Sequence, residues 1–467
     1  MPLPPEYGSV ASNPRYRPGE ADSGAYVAID FGTSNSAVAL PCYEAAAPSQ
    51  GSPGGGRTVQ LLKLEDGLPT MPTAVFYRAD TPQGQFEADR LYGRAALAAY
   101  VEGVDGRLMR SMKSILGSSL LDQSTDIGAG RSVRYRDVVS GYLRHLKSLA
   151  EAEAGQPVHR AVLGRPVFFV DEDPARDAQA QAALLTAAQQ VGFSEVQFQF
   201  EPIAAALDHE SKIGREQLVL VADIGGGTSD FCLVRVGPAR AARARGGQRR
   251  DDILAHHGVH LAGTDFDRHI ELAAILPLLG YRSQRAAKGS SAAPEVPSGI
   301  YFDLATWHLI NTVYSPARLA EMRGVKSWYT DPRHYARLMV TLQDRLGHSL
   351  AAAAEQAKID VAQNGAATID LSIVERGLAA TLAEAQAADA LEADLERIVQ
   401  AAVQTAGAAG VAASAVDALY FTGGSTGLRP LVARIGACFP GAELIRGDRF
   451  ASVAYGLGLH ARAVFGG

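Results

Sequence analysis

The sequence is 467 residues long, which is more than one hydrophobic core usually supports. Hydrophobic residues make up 47% of it and charged residues 20%, which excludes a disordered or collagen-like chain. The 44 basic and 50 acidic residues give a net charge of −6, so no general attraction draws the protein toward nucleic acid or anionic membranes. We therefore expect a globular protein of two large lobes or three to four smaller units, without specific binding to nucleic acid.

The sequence shows no signal for export or membrane insertion. Its longest apolar stretch, around Leu272 to Leu279, is far shorter than the roughly 18 residues that a membrane span requires. Residues 1–23 are rich in proline and polar residues and lack the apolar segment of a signal peptide, so we predict a disordered tail there. Three cysteines without CxxC spacing argue against a disulfide framework or a zinc site. These features predict a cytoplasmic protein with no membrane contact.

In chain order, the first clear element is a hairpin with a polar tip. An apolar strand ends at Asp30, the turn Phe31-Gly32-Thr33-Ser34 follows, and a second strand comes next. The same order returns at a strand that ends at Asp223, with the turn Ile224-Gly225-Gly226-Gly227-Thr228-Ser229 and another strand. This repetition predicts an internal duplication and therefore two similar α/β lobes within one chain.

The segments between and after the two hairpins alternate between strand and helix patterns. Between them we predict a helix around 138–149, a strand at 161–170, a helix at 173–191 and a strand at 195–200, after which Glu201-Pro202 opens another helix. After the second hairpin we predict helices at about 332–362 and 388–408, a strand at 367–373, and the strand 417–421 followed by a helix from Leu428. Residues 48–57 and 281–300 fit no element and are predicted to be surface loops.

Three glycine turns stand at the ends of apolar strands, and two of them are led by an aspartate. They follow Asp30, follow Asp223, and include Thr422-Gly423-Gly424-Ser425. Glycine lets backbone amides approach a phosphate, and threonine and serine add uncharged donors. A carboxylate beside a phosphate needs a cation between them, and hydrated Mg²⁺ meets that need. One such turn alone indicates only a tight turn or a capping aspartate, but three at strand ends favour a phosphate site.

These turns, with further motifs in the same order, resemble the nucleotide-binding domain of heat shock protein 70 chaperones, in the actin-like ATPase superfamily. The resemblance covers about residues 25–465. The further motifs are Leu68-Pro69-Thr70-Met71-Pro72-Thr73-Ala74-Val75, Lys113-Ser114-Ile115-Leu116-Gly117, Glu201-Pro202-Ile203-Ala204-Ala205-Ala206 and Gly263-Thr264-Asp265-Phe266-Asp267. The resemblance implies an α/β actin-like ATPase fold of two lobes, each built on an RNase-H-like βββαβα core with inserted subdomains. It implies lobe I at 24–214 plus 445–467 and lobe II at 215–444.

The resemblance also implies ATP or ADP with Mg²⁺ as cofactors, slow ATP hydrolysis and closure of the lobes on the nucleotide. Lys113, Glu201, Asp223 and Thr228 would be catalytic, and Asp30, Asp223 and Asp230 would hold Mg²⁺ mostly through water. Nucleotide contacts are expected from a larger set of residues: Gly32, Thr33, Ser34, Gly225, Gly226, Gly227, Thr228, Gly263, Glu355, Lys358, Gly423, Gly424 and Ser425. Lys113 has an alternative interpretation, because Arg110 and Lys113 would share a solvated face if they lay on one helix. Glu201 has one as well, because an acidic residue is favourable at a helix N-terminus.

Two departures from the chaperone pattern bear on function. We expect no peptide-binding domain after the last predicted helix, so the chain resembles the truncated, YegD-like relatives of the family. The protein partner is left unidentified. In the chaperones, two arginines stack on the adenine base, one after a Glu-x-x-Lys motif and one after a Gly-Gly-Ser-Thr turn. Ile359 and Gly427 stand at those positions here. We therefore expect weakened ATP binding with little preference for adenine.

Two other functions of the same superfamily remain open alternatives. One is a sugar or small-molecule kinase, although the sequence shows no separate aspartate base for a hydroxyl substrate. The other is a nucleotide-controlled filament protein. The arginines between Arg240 and Arg250 lack interleaved aromatics and are interpreted as a solvated hairpin tip. His256, His257, His260 and His269 are interpreted as structural, because no second ligand cluster completes a metal site.

Overall fold

The computed structural model describes residues 25–43, 57–79, 90–170, 173–210, 212–243, 252–285, 294–447 and 452–466. The predicted tail at 1–23, most of the predicted loop at 48–57 and the arginines from Arg245 to Arg250 lie outside these residues. The strands are β1 (Tyr26–Phe31), β2 (Asn35–Tyr43), β3 (Arg57–Leu61), β4 (Thr70–Pro72), β5 (Ala74–Arg78), β6 (Arg90–Tyr92), β7 (Gly106–Arg110), β8 (Ser124–Gly128), β9 (Arg131–Arg134), β10 (Arg160–Arg165), β11 (Glu195–Phe200), β12 (Gln217–Ile224), β13 (Ser229–Val236), β14 (Ile253–Val259), β15 (Ala366–Asp370), β16 (Ala379–Ala383), β17 (Ala418–Thr422) and β18 (Glu443–Arg446).

The helices are α1 (Gly93–Val101), α2 (Tyr135–Ala154), α3 (Pro174–Gln190), α4 (Glu201–Glu210), α5 (Pro238–Arg243), α6 (Gly263–Ile270), α7 (Gly299–Leu304), α8 (Pro316–Gly324), α9 (Pro332–Gln343), α10 (Gly347–Asn364), α11 (Glu384–Ala408), α12 (Arg429–Cys438) and α13 (Ser452–Phe465). Short 3-10 turns at Met112–Ile115 and Gly424–Gly427 and a π-helical turn at Glu271–Ile275 add to these. In the described part of the chain, no helix has the length and apolar character needed to cross a membrane.

Two five-stranded sheets with the same topology form the centre of the molecule. The first sheet has the order β3-β2-β1-β10-β11, and β4 pairs with β2 beside it. The second sheet has the order β14-β13-β12-β17-β18. In each sheet the first three strands are antiparallel and the last two run parallel to the central strand. The duplication expected from the two hairpins is therefore present, with Asp30 and Asp223 at the ends of equivalent strands.

The helices repeat in the same way, which gives two RNase-H-like βββαβα cores. Helices α2 and α11 follow the third strand of their sheets, α3 and α12 follow the fourth, and α4 and α13 follow the fifth. The sequence between these elements adds smaller sheets: β5, β6 and β7 with α1, the hairpin β8-β9, and the hairpin β15-β16. This is the actin-like ATPase fold with inserted segments that the resemblance implied.

A shared core joins the two sheets. Side chains of β1 alternate, so that Val27 and Ile29 pack under α2 and α3 while Tyr26 and Ala28 face the second sheet. Helices α4 and α13 lie within this shared core and cross closely, since a Cβ added at Gly456 would lie 1.8 Å from the carbonyl oxygen of Ala204. The close crossing fixes α4, whose first residue is Glu201.

Four segments differ from the sequence expectation. The strand predicted at 161–170 ends at Arg165, because Pro166 lacks the amide needed to continue the ladder. The helix predicted at 332–362 is two helices, broken near Arg345, whose φ of 56° lies in the left-handed region. Strand β16 was not expected. In the loop predicted at 281–300, Gln284 pairs with Glu295 and α7 begins at Gly299.

Candidate functional site

The two aspartate-led turns face each other across the cleft between the sheets. A Cβ added at Gly226 would lie 2.2 Å from Ser34 Oγ, and one at Gly227 would lie 2.7 Å from Thr33 Oγ1. Only glycine allows this approach, because any side chain would push the turns apart. The structure thus brings together the first two glycine turns and their hydroxyl residues, as a site for one phosphate chain requires.

The third glycine turn joins the second through hydrogen bonds. Ser425 Oγ donates to the carbonyl oxygen of Gly225 at 2.7 Å. Thr264 donates to the carbonyl oxygen of Gly226 through its backbone N–H at 2.7 Å and through Oγ1 at 2.8 Å. Gly423, with a φ of 87°, allows its turn to pass against Ile224 and Asp223. Gly263, Gly423, Gly424 and Ser425 therefore lie together beside the triple-glycine turn.

Lys113 and Glu201 form a buried ion pair below the turns. Lys113 Nζ contacts Glu201 Oε1, and the two residues are only 5% and 6% exposed. Lys113 lies in a 3-10 turn after β7, while Arg110 ends that strand, so the two do not share a helical face. The solvated-face alternative for Lys113 is therefore wrong. Glu201 does begin α4, and room for its side chain comes from Gly164, where a Cβ would lie 3.2 Å from Glu201 Oε1.

Three aspartates complete this group, of which Asp223 and Asp230 are buried and Asp30 is partly exposed. Val167 N–H donates to Asp230 Oδ1 at 2.5 Å, which ties a loop after the first sheet to the second sheet. Burial raises the pKa of Asp30 and of Asp230 to about 7, the Glu201 carboxylate adds to both shifts, and Lys113 opposes them. Burial also raises the pKa of Asp223 well above its usual range, with help from Glu201 and the other two aspartates.

Lys113 keeps its charge in this environment. Burial alone would lower its pKa, but the negative charges of Glu201 and Asp30 outweigh burial and raise it. Among the described residues of this group it supplies one positive charge against four carboxyl groups, and it already contacts Glu201. The arrangement is therefore short of positive charge when all four carboxyls are ionised.

This shortage fits a hydrated Mg²⁺ ion. Carboxylate oxygens are the donors that Mg²⁺ takes from proteins, and it usually keeps several of its waters. Within the described ranges, no group of three or more His, Cys, Asp or Glu side chains is placed to coordinate a metal ion directly. Contact through water agrees with both observations, and the assignment of Asp30, Asp223 and Asp230 to the ion stays a prediction.

Glu355 and Lys358 of α10 lie at the cleft and each has an ion-pair partner. Glu355 pairs with Arg110 at 2.7 Å and joins the two halves of the molecule. Lys358 pairs with Asp267 at 2.6 Å and donates to the carbonyl oxygen of Gly263 at 3.2 Å. Both are thus placed beside the glycine turns but are held by protein groups.

The expected adenine end lacks the two arginines, as the sequence indicates. Ile359 is 38% exposed on α10, next to Lys358. Gly427 ends the 3-10 turn that follows Gly423 and is not among the glycines with positive φ. An arginine at position 427 would therefore meet no left-handed strain.

Several residues lie at this site although the sequence did not predict a role for them. Ser114 Oγ would lie 3.3 Å from a Cβ at Gly227, and Arg110 and Asp267 hold the two α10 side chains. A cavity of about 290 Å³ extends from Gly227 toward Trp307. Ser114, Thr264 and Asp267 belong to sequence motifs that resemble those of the chaperones, although no role was predicted for these residues. No local pattern marks Trp307, which reaches the cleft only through tertiary packing.

Comparisons with known proteins agree with this geometry. The family described as "Hsp70 protein" matches residues 87–271. The chaperone protein DnaK of Mycoplasmoides gallisepticum is 29% identical over 216 residues, which cover 46% of this chain and 31% of that protein. The DnaK proteins of Thermotoga neapolitana and Thermotoga petrophila are 28% identical over 246 residues, covering 52% of this chain and 34% of each relative. The matched region thus spans about a third of the length of these curated relatives.

The motifs, the duplicated sheet topology and these matches lead to one assignment. The family match includes β10, Lys113, Glu201 and the triple-glycine turn, which are the elements that build the buried group. These observations support a nucleotide-binding domain of the heat shock protein 70 family, and the chain has the actin-like ATPase fold.

Proposed function

We propose that this protein is a chaperone-related ATPase that binds Mg-ATP between the two sheets, hydrolyses it slowly and closes its two lobes on the nucleotide. The observation that supports the proposal is the buried Lys113–Glu201 pair, which acts electrostatically on three aspartates, two of which precede the two facing glycine turns. We assign residues 24–214 and 445–467 to lobe I and residues 215–444 to lobe II. Packing of α13 in the shared core beside β1 and α4 supports that division.

The proposed chemistry is positioning and electrostatics. Asp30, Asp223 and Asp230 would orient the water shell of Mg²⁺, which when bound offsets negative charge on the phosphates. Amides and hydroxyls of the glycine turns, including Thr33 and Thr228, would hold the phosphate oxygens. Lys113 and Glu201 would orient the attacking water and stabilise charge that develops on the transferred phosphoryl group.

Slow turnover follows from the state of the two catalytic residues. Lys113 and Glu201 contact each other, so each must give up a buried ionic partner before it acts on water or phosphate. That rearrangement adds to the barrier of every cycle. Contacts across the cleft support lobe closure, because Arg110 pairs with Glu355 and Tyr100 donates to the carbonyl oxygen of Arg345 at 3.0 Å.

Phosphate release from ATP, measured with Mg²⁺ and with excess chelator, tests the proposal. We expect turnover only with Mg²⁺, and we expect Asp223→Ala to remove it by deleting one anchor of the ion. Asp370→Ala is a matched control, because Asp370 is an exposed carboxylate at the end of β15, outside the cleft. Metal-independent turnover, or full turnover in the Asp223→Ala protein, would contradict the site assignment.

A further inference from the structure

A cavity in the cleft contains a buried acid that the proposed ATPase does not use. The cleft cavity has a volume of about 290 Å³ and lies between the two halves of the molecule. Arg110, Ser114 and Leu120 line it from the first half, and Asp267, Glu271 and Trp307 line it from the second. One end reaches the phosphate turn at Gly227, while Glu271 and Trp307 belong to no nucleotide motif.

One carboxylate oxygen of Glu271 is buried without a hydrogen-bond partner. The residue is 1% exposed, and its Oε1 atom has no partner among the described residues. Burial and the neighbouring Asp267 carboxylate raise the pKa of Glu271 well above its usual range. Buried carboxyl groups are normally paired or hydrogen-bonded, because desolvation of the charged form is costly. A buried carboxylate oxygen without a partner, on a residue that lines a cavity, indicates that a ligand supplies the missing partner.

The backbone at Glu271 is irregular as well. The α-helix that begins at Gly263 ends at Ile270, and a π-helical turn runs from Glu271 to Ile275. Single π turns inside helices are rare and occur frequently at functional sites, because the extra residue redirects a side chain. The irregular turn begins at the residue whose side chain lacks a partner, which is an observation independent of burial.

The cations near the cavity are engaged elsewhere or neutral. Arg110 pairs with Glu355, and the Arg268 guanidinium lies 5.8 Å from the centre of the Phe302 ring. Burial and Arg268 lower the pKa of His308, so its ring is neutral near pH 7. Within the described part of the chain, none of these groups forms an ion pair with Glu271. None of these three groups supplies a partner for Glu271 Oε1, which leaves that role open to a ligand.

We propose that the cleft cavity binds a small organic molecule through an ammonium group that Glu271 accepts and Trp307 covers. An ammonium group supplies both the charge and the donors that Glu271 lacks, and indole rings attract cations. A volume of about 290 Å³ lies at the small end of the range of ligand pockets, roughly 300–1,000 Å³, which suits a short amine rather than a peptide. The site does not depend on nucleotide hydrolysis and is testable in nucleotide-free protein.

The test uses tryptophan fluorescence in a protein with one tryptophan. The chain has two, Trp307 and Trp328, and Trp328→Phe keeps an aromatic face for Arg285 while leaving Trp307 as the reporter. Titration with butane-1,4-diamine should change the Trp307 signal saturably at millimolar concentrations. Titration with butane-1,4-diol, which has the same length and no charge, should not. Equal responses to both compounds, or none to the diamine, would overturn the proposal.

A variant pair then assigns the binding to Glu271. Glu271→Gln keeps the shape of the side chain and should weaken diamine binding about tenfold or more, the loss expected for a charge-assisted hydrogen bond. Glu321→Gln removes one exposed acid, which pairs with Arg318 on the surface, and should leave binding unchanged. Unchanged affinity in the Glu271→Gln protein would refute the assignment. The comparison of diamine with diol needs no change at Glu271. It therefore tests ammonium binding in the cavity even if the Glu271→Gln protein folds poorly.

Discussion

Removing the positive charge of Lys113 tests whether the buried ion pair is structural or catalytic. Lys113→Met deletes the charge but preserves most of the volume of the side chain. It leaves Glu201, which is 6% exposed, without its partner and next to Asp30. Removing one partner of a buried ion pair costs about 3–5 kcal/mol, and we expect a loss of about that size. Urea unfolding of the nucleotide-free protein measures this loss.

The double variant Lys113→Met with Glu201→Gln separates the two roles. It removes both charges, so the free energy of unfolding should return to within about 1 kcal/mol of the parent value. Its ATP turnover should nevertheless stay about 10²–10³-fold below the parent, the usual cost of losing one preorganised electrostatic group. Single-turnover phosphate release, started from preformed complex with Mg-ATP, separates chemistry from binding.

One result would refute this reasoning directly. If turnover returned together with stability in the double variant, Lys113 and Glu201 would be structural residues, and the water-positioning role would have to lie elsewhere. A fall in ATP affinity as large as the fall in rate would also refute it, since the lysine would then act on the bound ground state.

Two further predictions concern pH and the base. In metal-free protein, Asp30 and Asp230 have pKa values of about 7, against 3.8 in the unfolded chain, so the folded state binds more protons between these values. The free energy of unfolding should therefore fall by about 1–3 kcal/mol per pH unit as the pH rises from 5 to 7, most steeply near pH 5. Urea midpoints measure this slope, and an unchanged slope in the protein with Asp30→Asn and Asp230→Asn would contradict it. Calorimetry should give ATP affinity below that of a full-length chaperone, with GTP bound almost as well. Ile359→Arg and Gly427→Arg should each tighten ATP binding about 2–30-fold. Tight, adenine-selective binding by the unchanged chain would show that other residues form the clamp.

The duplication could be predicted from the sequence because its signals are local. A strand, an aspartate and a glycine turn lie within about ten residues, and Asp30 and Asp223 carry the same pattern. Positions 226 and 227 require glycine because Ser34 and Thr33 of the other half approach them closely, and the sequence does not show this contact. The sequence pattern indicates a phosphate site, but three successive glycines can be explained only once the fold is known.

The contacts that complete the cleft could not be predicted, because they join residues far apart in the sequence. Arg110 and Glu355 meet across 245 positions, and each alone is compatible with a solvated surface. The break near Arg345 was missed for another reason, because helical periodicity continues on both sides of it. Burial of Lys113 depends on the sheets above and below it, so no local pattern distinguished it from a surface lysine.

If the proposed function holds, the duplicated fold couples nucleotide binding to the approach of the two halves. Equivalent strand ends face each other, so the two glycine turns meet at Thr33 and Gly227, and Val167 of the first half donates a hydrogen bond to Asp230 of the second. A ligand that spans both turns makes all of its contacts only when the halves are together, and a ligand shifts an equilibrium by its difference in affinity for the two states. Arg110 and Glu355 close the cleft without any ligand, so this pair sets how much of that difference the nucleotide must supply.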